Sequence, residues 1–317
     1  MVDDPFSDLL RLMSARSVLS GGLVAGGSWA MRSPPTSKIK FWGVVRGGCW
    51  LSVHGEPTPT RFEEGDILLL SEPRELVAKS DLAANPVDLS VVQRGRQGAI
   101  SRLGEGDDFF MIGGKMEFGG DGDKLFFNEL PGLIHIHSTS KQADILQLLL
   151  MQLVREKEEA LPGAGIASAQ LVHLIFIQIL RAFMESAGPM KAGWLRAVSD
   201  RRLAPAVRLM HHEPGRAWQL GELAKAAAMS RATFASYFKH VAGRAPITYL
   251  TEWRMHLAKR ELVESETAVG FLAQSLGYAS ESAFSNAFKR VVGKSPKGFR
   301  DDAKVRRSLS GFHLAKD

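Results

Sequence analysis

Two segments of the chain carry the same chemistry-bearing residues in the same order. Ser280 to Pro296 reads SESAFSNAFKRVVGKSP, and Ser230 to Pro246, 50 residues earlier, reads SRATFASYFKHVAGRAP. At that offset Ser230 meets Ser280, Phe234 meets Phe284, Phe238 meets Phe288, Lys239 meets Lys289, Gly243 meets Gly293 and Pro246 meets Pro296. Basic side chains beside small polar ones suit a polyanion: charge for phosphate oxygens, hydroxyl and amide groups for hydrogen bonds. In each copy the two phenylalanines lie four residues apart on one helix face, and Val241 or Val291 extends it by three. That face is expected to build a core, leaving the small and polar groups to the opposite face.

Such a face needs a helix with defined ends and something to lean on. Gly243 and Gly293 fit as C-caps, and Pro246 and Pro296 suit the first turn of the following helix. A shorter helical run precedes each copy, QLGELAKAAAMS and AVGFLAQSLGYAS, with the pairs Leu223-Ala224 and Leu272-Ala273 offset by 49 residues. Four residues past each Ala comes the tight turn of a helix-turn-helix, held by Gly277 in the second copy and Ala228 in the first. If that turn needs a positive φ, Ala228 costs about 1 kcal/mol. Between the copies, PITYLTEWRMHLAKRELVES predicts one continuous helix of about 30 Å at 1.5 Å per residue. A strut of that length sets two recognition helices for two adjacent major grooves of double-stranded DNA, one turn of which is about 34 Å.

Charge is distributed to match. The net charge of +6 divides into +10 over residues 201–317, with 20 Lys and Arg against 10 Asp and Glu, and −4 over residues 1–200, with 20 against 24. The C-terminal third is therefore the polyanion-facing part. A length of 317 residues predicts two domains, and 45% hydrophobic with 23% charged residues is the balance of a globular protein. The single cysteine, Cys49, excludes an internal disulfide, and the start MVDDPFSDLL lacks the basic-then-apolar order of a signal peptide, so a cytoplasmic location is expected. Ile166 to Met184 has the length of a membrane span, but Gln170, His173, Gln178 and Arg181 interrupt it; a buried helix or subunit interface is expected.

The first 135 residues or so read as strands, because short apolar runs (FWGVVRGG, CWLSVHG, DILLLS, VDLSVVQRG) alternate with Gly, Pro and Asp clusters. An all-β barrel or sandwich follows, after an N-terminal helix suggested by Phe6, Leu9, Leu10 and Met13. From Lys141 two helical runs flank the breaker LPGAG and predict an antiparallel hairpin. Its apolar residues cover more than one face, so a partner must bury the excess, either the β-domain or a second copy of the hairpin, and a homodimer interface through residues 141–185 is expected. The segment SAGPMKAGW, 186–194, is the expected linker.

These features resemble the AraC/XylS family of transcriptional regulators over about Leu203 to Arg300, with AQSLGYASESAFSNAFKRVVGKSPKGFR close to the family signature. FWGVVRGGCWLSVHGE and RFEEGDILLLSEP are similar to the cupin-type sensor domain common in that family. The resemblance implies an α+β chain. A cupin-like β-barrel with a helical hairpin, 1–185, precedes the linker and an all-α domain of two helix-turn-helix units joined by a long helix, 195–317. It also implies sequence-specific DNA binding, an unidentified small-molecule effector in the N-terminal domain, and RNA polymerase as a partner. The DNA-facing positions would be Arg231, Ala232, Ala235, Ser236 and Lys239 in the first unit and Ser280, Glu281, Ser282, Ser285, Asn286 and Lys289 in the second. Asn pairs bidentately with adenine and Glu accepts from cytosine N4, whereas alanines offer only apolar contact, so more base readout is expected from the second unit. An architectural DNA binder and a cupin enzyme with a DNA-binding tail are the alternatives.

No cofactor or metal is expected. Enzymatic cupins need His-x-His and Glu on one strand and another His after a Gly-Asp turn; here SEPRELV follows Gly65-Asp66 without a histidine, and His54 stands alone. His135 and His137 would project to one side of a strand, but no carboxylate follows them at the required distance, so ordinary strand histidines are expected. IGGK at 112–115 and GGLVAGGS at 21–28 lack the residues of phosphate-binding loops and are expected to be turns. Cys49 is expected to be buried and inert, and Trp29, Trp42, Trp50 and Phe41 to be core rather than pocket.

Overall fold

In the run GCWLSV, Cys49, Leu51 and Val53 are buried while Gly48, Trp50 and Ser52 are half-buried, the period of two that makes one face of a strand apolar. The computed structural model describes residues 4–12, 15–35, 38–88, 100–118, 129–159, 161–186 and 190–313, with side chains as far as 305. Two compact units emerge, one of residues 15–123 and 130–190 and one of residues 1–14, 124–129 and 191–317.

Among its described residues the first unit has two sheets. One, in the order β11-β6-β3-β10-β1-β9, contains β1 (Arg16–Gly26), β3 (Ile39–Arg46), β6 (Ile67–Leu70), β9 (Ile100–Gly104), β10 (Phe109–Glu117) and β11 (Leu133–Ile136). The other, β5-β4-β7-β2-β8, contains β2 (Ala30–Ser33), β4 (Gly48–Val53), β5 (Thr60–Glu63), β7 (Leu76–Lys79) and β8 (Val87–Asp88). One core joins them: Leu23 and Met111 from the first sheet pack with Met31, Leu51, Phe62 and Ala78 from the second, and Trp29 and Cys49 lie inside it. Trp29 and Phe41 are buried as expected, whereas Trp42 and Trp50 are half-buried. Burial lifts the Cys49 thiol to about 12, which makes it inert. Of the expected run at 87–95, only Val87 and Asp88 fall among the described residues.

Two glycine-rich segments expected as turns are strands instead. Residues 21–26 lie in β1 and residues 112–115 in β10, paired antiparallel with Gly21 opposite Gly113 and Gly22 opposite Ile112. Close approach explains it: a Cβ on Gly113 would stand 2.5 Å from the Phe41 carbonyl, and one on Gly114 2.6 Å from Val172. These glycines let a neighbouring strand and helix lie against β10.

The helices α2 (Ala143–Glu159) and α3 (Ala164–Glu185) pack together as the expected hairpin, and α3 rests on β1, β10 and β11. By length and composition α3 passes as a membrane span, yet Val172, Ile175, Phe176 and Ile179 are buried within this unit. On α2, Ile145, Leu148 and Met151 stay exposed at intervals of three, one uncovered apolar stripe.

The second unit begins with α1 (Pro5–Leu12), which packs against α4 (Trp194–Ser199), α5 (Ala204–His212) and α8 (Pro246–Glu264). The segment 1–185 is thus not one compact unit: α1 and Glu129 group with the C-terminal helices. The expected linker 186–194 also ends early, because Gly193 donates its N–H to the Val241 carbonyl at 3.0 Å and Trp194 is fully buried; residues 187–189 lie outside the described residues. Two helix-turn-helix units follow the expected plan, with α6 (Leu220–Ala226) and α7 (Arg231–Ala242), the strut α8, then α9 (Val269–Ser275) and α10 (Glu281–Val292), closed by α11 (Pro296–His313).

The turn positions do take positive φ, 53° at Ala228 and 78° at Gly277. Gly277 is constrained twice, since a Cβ there would stand 2.0 Å from the Gly215 carbonyl oxygen. Ala228→Gly is therefore expected to stabilise the protein by about 0.5 to 1 kcal/mol, and Gly277→Ala to destabilise it by about 2 to 4 kcal/mol. Urea-unfolding midpoints of the two variants against the parent measure both effects.

Candidate nucleic-acid interface

Each recognition helix is defined at both ends by its own sequence. Ser230 Oγ accepts the Thr233 N–H at 3.2 Å and Ser280 Oγ accepts the Ala283 N–H at 3.1 Å, so both helices start at a serine N-cap. Gly243 at φ 72° and Gly293 at φ 84° end them in the left-handed conformation. Phe234, Phe238, Phe284 and Phe288 are all fully buried, each contributing roughly 1.5–3 kcal/mol by leaving water. Val241 joins this face as expected, but Val291 does not: it is 41% exposed, and its neighbour Val292 packs on the core with Leu272, Leu276 and Phe299. Val292 follows Phe284 and Phe288 at intervals of four, and Phe299 of α11 adds to the same core, 5.7 Å from Phe288.

With that side buried, Arg231, Ala232, Ser236 and Lys239 of α7 are exposed and Ala235 is half-buried; on α10, Glu281, Ser282, Asn286 and Lys289 are exposed and Ser285 is half-buried. The Ser280 hydroxyl is engaged in capping. Basic residues fall into two groups. Arg254 donates to the carbonyls of Pro214 and Arg216, Arg300 to that of Thr267, and Arg244 pairs with Glu252, so these brace the fold. Arg231, Lys239 and Lys289 form no ion pair among the described residues, and neither do the exposed Arg290 and Lys297, which the repeat pattern left unremarked.

The platform under α7 is an aromatic stack. Phe238 meets Tyr249 edge-on at 5.4 Å, Tyr249 lies 4.0 Å from Trp194, and the His211 ring stacks on Trp253 at 3.7 Å. Burial holds His211 neutral by lowering its pKa. With Asp8 accepting from Nδ1 at 3.3 Å, Nε2 is left to accept the Tyr249 hydroxyl at 2.9 Å. Glu129 accepts the Leu195 N–H at 3.1 Å, at the start of α4, and lies 3.7 Å from Arg244. Burial raises its pKa despite these contacts. No spacing rule pointed to Asp8 or Glu129, because their partners are far along the chain.

In the β-rich unit, Asp66, His135 and His137 come together. A cavity of about 710 Å³ opens between β1 and the hairpin, with Arg16, Ser17, Ser168, Gln170 and His173 among its lining residues.

Burial lowers the His256 pKa from 6.5 to about 3. Its folded pKa is depressed, so the unfolded chain binds the proton first, and stability present above pH 6.5 is lost as pH falls toward 3. Acidification from pH 7 to 5 is expected to cost about 2 kcal/mol through this group alone. His256→Phe should flatten that slope by the same amount, whatever its effect at pH 7, as read from unfolding midpoints across the pH series.

The chain is similar to known proteins along most of its length. A family model described as Cupin matches residues 4–185, and one described as a helix-turn-helix domain matches residues 223–302. A putative AraC-like transcription regulator of Streptomyces lividans is 39% identical over 297 residues, 94% of this chain and 98% of that protein. Another, from Streptomyces antibioticus, is 38% identical with the same coverage. Among solved structures, the DNA-binding domain of AdpA, a global transcriptional factor in complex with a target DNA, is 32% identical and covers 34% of this chain and 98% of its own, at a TM-score of 0.33.

Proposed function

The chain belongs to the AraC-like family of transcription regulators, and from that premise we propose that it regulates transcription by placing α7 and α10 in adjacent major grooves of one DNA duplex. One observation carries the reading: two N-capped helices, repeated at 50 residues, bury matching phenylalanine pairs and turn basic and polar side chains outward. Arg231, Lys239 and Lys289 then contact phosphates, Asn286 and Glu281 read base edges, and Ala232 and Ala235 pack on thymine methyls. Ser236, Ser282 and Ser285 supply further hydrogen bonds, and Ser280 presents its helix end.

The β-rich unit is the sensor in this reading. Because side chains fill the space between its sheets, the cavity between β1 and the hairpin is the place for an effector, whose polar group would meet Arg16 and His173. Effector binding shifts the population of DNA-competent chains. The uncovered stripe Ile145, Leu148 and Met151 on α2 supports a homodimer through residues 141–185. As a DNA-binding regulator, the protein works in the cytoplasm.

On a mapped operator, Asn286→Ala is expected to lower discrimination against a mismatched base by about 1–3 kcal/mol. Lys239→Ala and Lys289→Ala should instead weaken all sequences equally, each reducing the salt slope by about 1. Competition binding across a salt series separates the two behaviours, and unchanged discrimination in Asn286→Ala overturns the base-reading role. Leu148→Glu combined with Met151→Glu is expected to convert a dimer to monomers in light scattering, with the fold retained.

A further inference from the structure

His135 and His137 lack a carboxylate in their own neighbourhood of the sequence, but the fold supplies one. Asp66 ends the turn between β5 and β6, and β6 pairs antiparallel with β11, so the aspartate comes to lie beside histidines 69 and 71 residues away. One donor atom from each of Asp66, His135 and His137 lies within 4.8 Å of the other two. The arrangement is held firmly on two of its three sides. Asp66 is 4% exposed, and its carboxylate accepts the N–H groups of Ser138 at 2.8 Å and Glu63 at 3.2 Å. His135 Nε2 lies 3.0 Å from Asp66 Oδ2, and its ring stacks on the buried Phe62 at 3.9 Å. His137 is exposed, with its ring 3.8 Å from that of His135 and no side-chain hydrogen bond among the described residues.

We propose that Asp66, His135 and His137 form a binding site for a divalent transition ion of the zinc class. Two imidazoles and a carboxylate are the ligand types that such ions take, at about 2.0–2.2 Å, with a fourth position left to water. Donors around a tetrahedral ion stand about 3.4 Å apart. Rotation of the exposed His137 side chain closes the gap, while Asp66 and His135 keep their places. On binding, the tautomer with the proton on Nδ1 frees Nε2 for the ion.

This is not the arrangement of enzymatic cupins. Those use His-x-His and Glu on one strand with a histidine after the Gly-Asp turn, whereas here the aspartate of the turn itself is joined by two histidines from the last strand, β11, and the residue after it. An ion bound here ties the β5–β6 turn to the end of β11, and so clamps the sensor unit.

The test is calorimetric titration of the chelator-stripped, full-length protein with zinc chloride in the absence of DNA, so its outcome is separate from the regulatory reading. One ion per chain is expected, with affinity at least about 10-fold weaker in His137→Ala and unchanged in His54→Ala. Both substitutions are at exposed positions, so the fold is not at stake. Zinc should also raise the unfolding temperature of the parent and not that of His137→Ala. No uptake up to about 100 micromolar zinc, or equal uptake by His137→Ala, overturns the proposal.

Discussion

A helix twelve residues long cannot give the same face to a core and to a ligand, and this constraint organises the C-terminal unit. Phe234 with Phe238, and Phe284 with Phe288, commit one side of each recognition helix to the interior. The two rings of each pair stand four residues apart and touch at 5.5 and 5.7 Å, so the helix cannot roll without pulling both out. Everything outward is then free to differ between the copies. The first helix exposes Ala232 and charge, and the second exposes Glu281 and Asn286.

The platforms behind the two helices are not equivalent. The first rests on stacked aromatics, Tyr249, Trp194, Trp253 and His211, into which the N-terminal part of the chain reaches with Asp8 and Glu129. The second rests on aliphatic side chains from the far half of α8, Met255, Ala258 and Leu262, closed by Phe299. A neutral buried histidine in the first platform requires an acceptor for its one N–H, and Asp8 is that acceptor. The start of the chain is thereby a structural part of the unit that carries the recognition helices.

In the β-rich unit the corresponding constraint is distance between backbones. Gly113 and Gly114 let Phe41 and Val172 approach where a methyl group would collide, and the hairpin helix α3 lies on the sheet in consequence. Val172, Ile175, Phe176 and Ile179 of α3 are covered within this unit. The stripe on α2 is not, which is why one chain leaves it open to water.

The sequence alone determined the repeat, the glycine caps, the proline starts, the tight turn of each unit, the strut and the mostly-strand first half. Apart from the repeat itself, read at an offset of 50, these depend on residues within a few positions of one another, where spacing and local geometry are the same thing. Tertiary structure decided the rest. Glycine runs that resemble turns became paired strands because Phe41 and Val172 come close, and Val292, four residues past Phe288, took the place of Val291 on the core that Phe299 also covers. Trp194 left the linker for the centre of an aromatic stack, and Asp66 found His135 across a strand pairing. Most of these partners are joined by packing over tens of residues, and no periodicity in the chain carries that information.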